Sequence, residues 1–254
     1  MAEMIAPTMQ TRESVRQAPA RPHVMYQTWS ELLFVHYTLE PQRVQALLPA
    51  GLTVDTFADA EGRERAWVGC VPFRMSRVRP RYLPAVPGLS DFLEANLRTY
   101  VHREGEGPAV YFFSLDAANA IACSLARRTF NLPYHHAHMN STRSGQVFAY
   151  SSLRHADRSH VRANWRIGKG LGPSQPGSLN YFLAERYLLV VANSRGELRW
   201  GRVHHEPYVL QAVEIEQFDE TLSQAVGLPG GPVEHACYCE GVQTRIWSIR
   251  DTPE

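Results

Sequence analysis

The chain has 254 residues, 44% of them hydrophobic, enough for a sizeable core in one large domain or two small ones. Its 26 basic and 25 acidic residues leave a net charge of +1, which argues against an electrostatic nucleic-acid binder. No run of about 18 apolar residues occurs, so no membrane partner is expected, and four cysteines in a chain this long do not form a disulfide framework. The basic residues are unevenly divided: 25 are arginine and one is Lys169.

Residues 1–22 mix Thr, Gln, Arg, Ala and Pro without an apolar period and read as a disordered tail. They lack the apolar stretch of a secretory signal, so a cytoplasmic setting is expected. Residues 23–254 read as one domain. A strand is predicted at 32–38, followed by a short helix opened by Glu40-Pro41, with Val44, Leu47 and Leu48 on one face and Pro49 and Gly51 ending it. Strand-like segments follow at 52–57, 66–75, 92–102, 110–113 and 147–154. Asp116 reads as the N-cap of a helix with an apolar stripe of Ala118, Ile121, Ala122 and Leu125, and with Arg127 and Arg128 in its last turn. Residues 168–178, with four glycines and two prolines, read as a loop carrying Lys169. Ser178 caps a short helix reaching Arg186. Strands are then predicted at 188–193, 198–204, 208–218, 235–239 and 242–249, with a helical turn at 221–226 stopped by Gly227. Many strands, few helices and frequent Pro and Gly breaks indicate a mainly β barrel or sandwich.

The strand at 92–102 carries the most informative local pattern. Side chains alternate faces along a strand, which puts Phe92, Glu94, Asn96, Arg98, Tyr100 and His102 on one face and Leu93, Ala95, Leu97, Thr99 and Val101 on the other. The polar face either meets water or lines an internal pocket. In a pocket, Glu94 is the first candidate for acid/base work, Arg98 would pair with it or anchor an anion, and Asn96 and Tyr100 would contact a ligand.

Five separated motifs carry a resemblance. They are Tyr37-Thr38-Leu39-Glu40-Pro41 with Leu47-Leu48-Pro49-Ala50-Gly51-Leu52; Phe92-Leu93-Glu94-Ala95-Asn96-Leu97-Arg98-Thr99-Tyr100-Val101; Arg128-Thr129-Phe130-Asn131-Leu132-Pro133-Tyr134; Phe182-Leu183-Ala184-Glu185-Arg186-Tyr187; and Val203-His204-His205-Glu206-Pro207. Their order over residues 25–250 resembles the uncharacterised YqjF-like family, which is in turn similar to the acetoacetate decarboxylase superfamily. That resemblance implies a closed antiparallel β-barrel with a few short helices and a pocket inside. Glu94 matches the glutamate facing the decarboxylase pocket, and Pro133 matches the proline before its catalytic lysine pair. Tyr134 and His135 stand where both lysines are required.

A Schiff base needs an amine that loses its proton near neutral pH, which arginine never supplies. Lys169, in a Gly-rich loop, is a poor place to desolvate an amine. The expectation is therefore a small-molecule pocket without the Schiff-base lysine, with acid/base chemistry on a carbonyl or carboxylate compound through Glu94, with Tyr134 or His136 polarising the oxygen and His135 and His204 contacting the ligand. The rival readings are a non-catalytic sensor or carrier, and a metal enzyme built on His135, His136 and His138, of which His136 and His138 share a strand face. The same residues read equally as hydrogen-bonded or solvent-facing histidines, and no third ligand follows from spacing. His235, Cys237 and Cys239 share a face, but i to i+4 on a strand spans about 13 Å, too far for one ion, so the cysteines read as small hydrophobes. No cofactor is expected, and self-assembly is left open.

Overall fold

The computed structural model describes residues 6–193 and 195–253. Among these residues thirteen strands form one sheet. In chain order they are β1 (Met25–Leu39), β2 (Thr53–Val54), β3 (Thr56–Ala58), β4 (Glu64–Pro80), β5 (Phe92–Arg103), β6 (Glu106–Ala117), β7 (Tyr134–Ser144), β8 (Val147–Arg154), β9 (His160–Pro173), β10 (Leu188–Ala192), β11 (Leu198–His204), β12 (Val209–Glu220) and β13 (His235–Ile246). Among the described residues there are five short helices, α1 (Met9–Ser14) ahead of β1 and α2 (Pro41–Gln45), α3 (Ala120–Phe130), α4 (Leu179–Ala184) and α5 (Leu222–Ala225) between strands. The neighbour order runs β6-β7-β8-β9-β12-β13-β1-β4-β5, and β5 pairs again with β6, so the pairings return on themselves.

Most pairs are antiparallel, as expected, but β6 lies parallel to both β7 and β10. A parallel neighbour requires a crossover connection, and α3 supplies it between β6 and β7. The core is built from inward positions of both long antiparallel runs. Leu33, Val35, Leu93, Ala95, Leu97, Trp165 and Tyr238 fall in one cluster, and the Phe148 and Trp165 rings stack at 4.9 Å.

Several expectations change. Residues 1–5 of the expected tail lie outside the described residues, but 9–14 form α1, capped by the Thr8 side chain. Arg12 on α1 donates to both carboxylate oxygens of Asp55 at 2.7 and 2.6 Å, and Val15 is buried against Leu52 and Trp200. A salt bridge and an apolar contact thus help to hold a segment with no apolar period. Asp116 is not a cap: it sits in β6, buried, and Arg154 donates to it at 2.7 Å. Asn119 caps α3, its Oδ1 accepting from the amides of Ile121 and Ala122. The apolar stripe turns outward at Ile121 and Leu125, and Cys123 is the buried residue of α3.

The Gly-rich segment from 168 is strand, since β9 runs on to Pro173 against β12. The two strands expected at 235–239 and 242–249 are one strand, β13. A Cβ at Gly241 would lie 2.7 Å from the Trp29 carbonyl, so only glycine lets β13 pass β1 there. β7 and β9 were not foreseen as strands. Their inward positions alternate with exposed polar ones, and β7 is mostly polar.

Candidate ligand cavity

β5 is buried on both faces. Leu93, Ala95 and Leu97 enter the core, while Phe92, Glu94, Asn96 and Arg98 line a cavity of about 180 Å³. The polar face of this strand therefore meets an internal space rather than bulk water: Glu94, Asn96 and Arg98 are 2%, 5% and 8% exposed. The rest of the wall is largely apolar, with Trp29, Phe73, Phe112, Leu115 and Tyr208 contributing.

Glu94 and Tyr134 form one polar group in this wall. The Tyr134 hydroxyl donates to Glu94 Oε2 at 2.8 Å. Burial pushes the Glu94 carboxyl up to about 8; the Tyr134 hydrogen bond opposes that rise, and the Asp116 charge adds to it. Burial likewise pushes the Tyr134 phenol well above its usual range, and Glu94 adds to that. Near neutral pH the pair is thus an uncharged carboxylic acid beside a phenol.

Arg98 and Asn96 form a second polar group. Arg98 Nη2 donates to the Leu183 carbonyl at 3.1 Å, and the guanidinium lies over the Phe34 ring at 5.4 Å. Its Nε and the Asn96 Oδ1 are buried without a hydrogen-bond partner among the described residues. Buried polar atoms left unpaired are costly, and here both belong to side chains that line the cavity. The expected Glu94–Arg98 ion pair does not form. Four residues along a strand span about 13 Å, and the two groups sit at separate points of the wall.

Arg186 also lines the cavity. Its Nη1 donates to Asp55 Oδ2 at 2.8 Å and its Nε to the Phe182 carbonyl at 2.7 Å, and it does not pair with the adjacent Glu185. Burial alone would raise the Asp55 carboxyl, but Arg186 and Arg12 hold it below its usual value. Glu185 accepts from the Tyr187 hydroxyl and the Tyr208 amide instead. Asp55 was missed in the sequence. The available signal was a lone acid inside an apolar strand segment, which burial forces to find a cation.

Tyr100 is buried but does not line the cavity; its hydroxyl donates to the Leu183 carbonyl at 2.8 Å. It belongs to a chain of contacts running outward: His36 Nε2 at 2.7 Å, His36 Nδ1 to His235 Nδ1 at 3.2 Å, and His235 Nε2 to Asn180 Oδ1 at 2.6 Å. Burial depresses the His36 imidazole, with His235 and Arg98 adding to the effect, and burial lowers His235 to about 4, so both rings are neutral. A Cβ at Gly69 would come within 2.8 Å of the His36 ring, so a glycine is needed where that ring crosses β4.

The other expected site residues lie elsewhere. On β7 the inward positions are Ala137 and Met139, so His136 and His138 face solvent, and His136 stacks on His155 at 4.4 Å. His135 is half-buried opposite Asp116, and His204 meets Arg245 at 3.0 Å. None of His135, His136 and His204 lines the cavity. Among the described residues no group of three His, Cys, Asp or Glu side chains is placed to hold a metal. Cys237 and Cys239 are free thiols in an apolar cluster. Lys169 is exposed on β9 and does not line the cavity.

Residues 26–243 match the model of a family described as an uncharacterized conserved protein, DUF2071. The chain belongs to this family. The DUF2071 chain is 36% identical over 231 residues to the uncharacterized protein YqjF of Bacillus subtilis (strain 168), covering 89% of this chain and 92% of that protein. Among solved structures it is similar to an acetoacetate decarboxylase from Legionella pneumophila subsp. pneumophila str. Philadelphia 1, with a TM-score of 0.59, 13% identity and 98% of each chain covered. A second is the enduracididine biosynthesis enzyme MppR, complexed with the condensation product of pyruvate and imidazole 4-carboxaldehyde. There the TM-score is 0.58 at 14% identity, over 92% of this chain and 91% of that one. At these identities the DUF2071 chain shares a fold with both enzymes. It is a mainly β, acetoacetate-decarboxylase-like fold with few helices.

Proposed function

We propose that the ring of strands works as a closed barrel around the cavity and binds a compact organic molecule with an apolar body and a carbonyl or carboxylate oxygen. The observation that carries this reading is the pairing, in one mostly apolar wall, of a neutral Glu94–Tyr134 group with the open hydrogen-bonding atoms of Arg98 and Asn96. Glu94 is the acid. It passes its proton to the bound molecule, and the carboxylate that remains keeps the Tyr134 hydroxyl as its hydrogen-bond donor. Arg98 and Asn96 hold the oxygen function. No covalent amine intermediate forms, because the single lysine is exposed on β9 and away from this wall.

The experiment is borohydride reduction of the protein with short keto acids, read by intact mass, alongside turnover of the same compounds by wild type and Glu94→Gln. The expected result is no adduct, turnover by wild type and none by the variant. An adduct on Lys169, or unchanged turnover by Glu94→Gln, overturns the acid role. A second reading, a non-catalytic carrier or sensor, draws support from the predominantly apolar wall; binding with no turnover of any keto acid by wild type favours it.

A further inference from the structure

Half of the large hydrophobic side chains that stand exposed lie in two neighbouring segments. The loop between β4 and β5 presents Tyr82, Leu83, Val86 and Leu89, with Tyr82 84% exposed. α3 presents Ile121 and Leu125 one turn apart. Asn119 ties the two segments together, its amide donating to the Gly88 and Leu89 carbonyls at 3.4 and 3.2 Å while its oxygen caps α3. Leu125 is 58% exposed and also lines the cavity, so the cavity wall reaches the exterior on this face.

The end of β4 carries Arg77 and Arg79, the loop carries Arg81, and α3 carries Arg127 and Arg128. None of these five pairs with a carboxylate among the described residues. Arg79 and Arg81 lie over the Tyr26 and Tyr82 rings, and Arg127 donates to the Tyr134 carbonyl. Asp91 is the one acid in residues 77–91, and it accepts from the Arg77 amide; α3 has none. In a chain of net charge +1, this is a concentrated and uncompensated positive face with an apolar centre.

We propose that this face docks on an anionic lipid surface, with Tyr82, Leu83, Val86 and Ile121 entering the headgroup layer and the arginines meeting lipid phosphates. A two-fold contact between copies would set arginine against arginine with no acid to separate them. A nucleic acid would satisfy the arginines but leave the aliphatic side chains in water. No helix of the described residues is long and apolar enough to cross a membrane, and surface docking needs none. No membrane partner was expected, for want of a spanning run; docking on the surface departs from that expectation, and it stands independently of any chemistry in the cavity.

The test is sedimentation of the full chain with vesicles of pure phosphatidylcholine and of equimolar phosphatidylcholine and phosphatidylglycerol. Binding to the mixed vesicles alone, weakened by salt, is expected. Arg81→Gln and Arg128→Gln each lower the partition about fivefold, and about thirtyfold together. Leu83→Ser with Ile121→Ser lowers it as well, while Leu171→Ser, an exposed apolar position on β9, leaves it unchanged. All these side chains except Arg81 are exposed, and circular dichroism verifies that each variant folds. Equal sedimentation with both vesicles overturns the proposal. So does lipid-free self-association, seen by analytical ultracentrifugation, that the same substitutions abolish.

Discussion

In the proposed function Glu94 is the residue on which the chemistry turns, because its environment sets its charge. Its carboxyl titrates at about 8 in the fold against an ordinary 4.5, with burial the main cause. A folded value above the unfolded one means that the native state holds the proton more tightly. The stabilising contribution is then fully present below about 4.5 and is lost as pH rises through about 8. The slope from this one group is at most about 1.4 kcal/mol per pH unit. Urea unfolding across that window, wild type against Glu94→Gln, should show a component that the variant lacks. Infrared difference spectra should show a carboxylic acid in wild type at pH 7, ionising near 8 and missing from Glu94→Gln. A carboxylate already ionised at pH 6 would contradict the assignment. Asp55 behaves in the opposite way, since two arginines keep it charged. Asp55→Asn leaves Arg12 and Arg186 facing a neutral group and is expected to lose about 3–5 kcal/mol. Arg12→Ala keeps the Arg186 pair and should lose less, about 1–3 kcal/mol; denaturant titrations rank the two.

Among the elements, β5 joins the core to the cavity by alternation alone. Its odd positions pack and its even positions carry Glu94, Asn96 and Arg98, so a register slip of one residue would exchange the two sets. β4 holds the neighbouring constraint at Gly69, whose missing side chain leaves room for His36. Gly69→Ala displaces that ring and breaks its contact with Tyr100, at an expected 1–3 kcal/mol typical of overpacking. The ring resonances of His36 and His235 in nuclear magnetic resonance spectra should shift together in this variant, and a shift confined to one ring would argue against the connected chain. α3 has apolar residues on two sides. Ala122 and Ala126 face the cavity, and Ile121 stands in solvent.

In the molecule as a whole, chain ends far apart in sequence meet around the sheet. Trp247 Nε1 donates to the Arg21 carbonyl at 2.7 Å, and Arg202 donates to the Gln17 carbonyl at 2.5 Å. With the Arg12–Asp55 bridge and the packing of Val15, these contacts bind residues 9–22 to Asp55, to β11 and to Trp247. Deleting residues 1–17 should therefore lower the melting temperature by several degrees, since about 1 kcal/mol corresponds to about 2–4 °C in a domain near this size. Calorimetry checks this, and an unchanged melting temperature would mean that the segment adds nothing to stability.

The composition, the alternation in 92–102 and the turn residues were enough to read a mainly β fold, the strand at 147–154 to its last residue, and the face of β5 that carries Glu94, Asn96 and Arg98. Those features are local: a period of two and a run of β-branched and aromatic residues act within a few residues of themselves. The destinations of the charged groups were not local. Arg12 reaches Asp55 across 43 positions and Arg186 reaches it across 131. Neither partner can be picked from among 25 arginines by spacing. The same holds for the histidines, whose cluster after Pro133 suggested a site but whose strand register turns His136 and His138 to solvent. It holds also for Asp116, which the local pattern made a cap and the β7–β8 return made a buried partner of Arg154. Burial is what separates the two kinds of residue. Alternation sets which side of a strand a group faces, but whether that side meets water, core or cavity depends on the strands that pack across it.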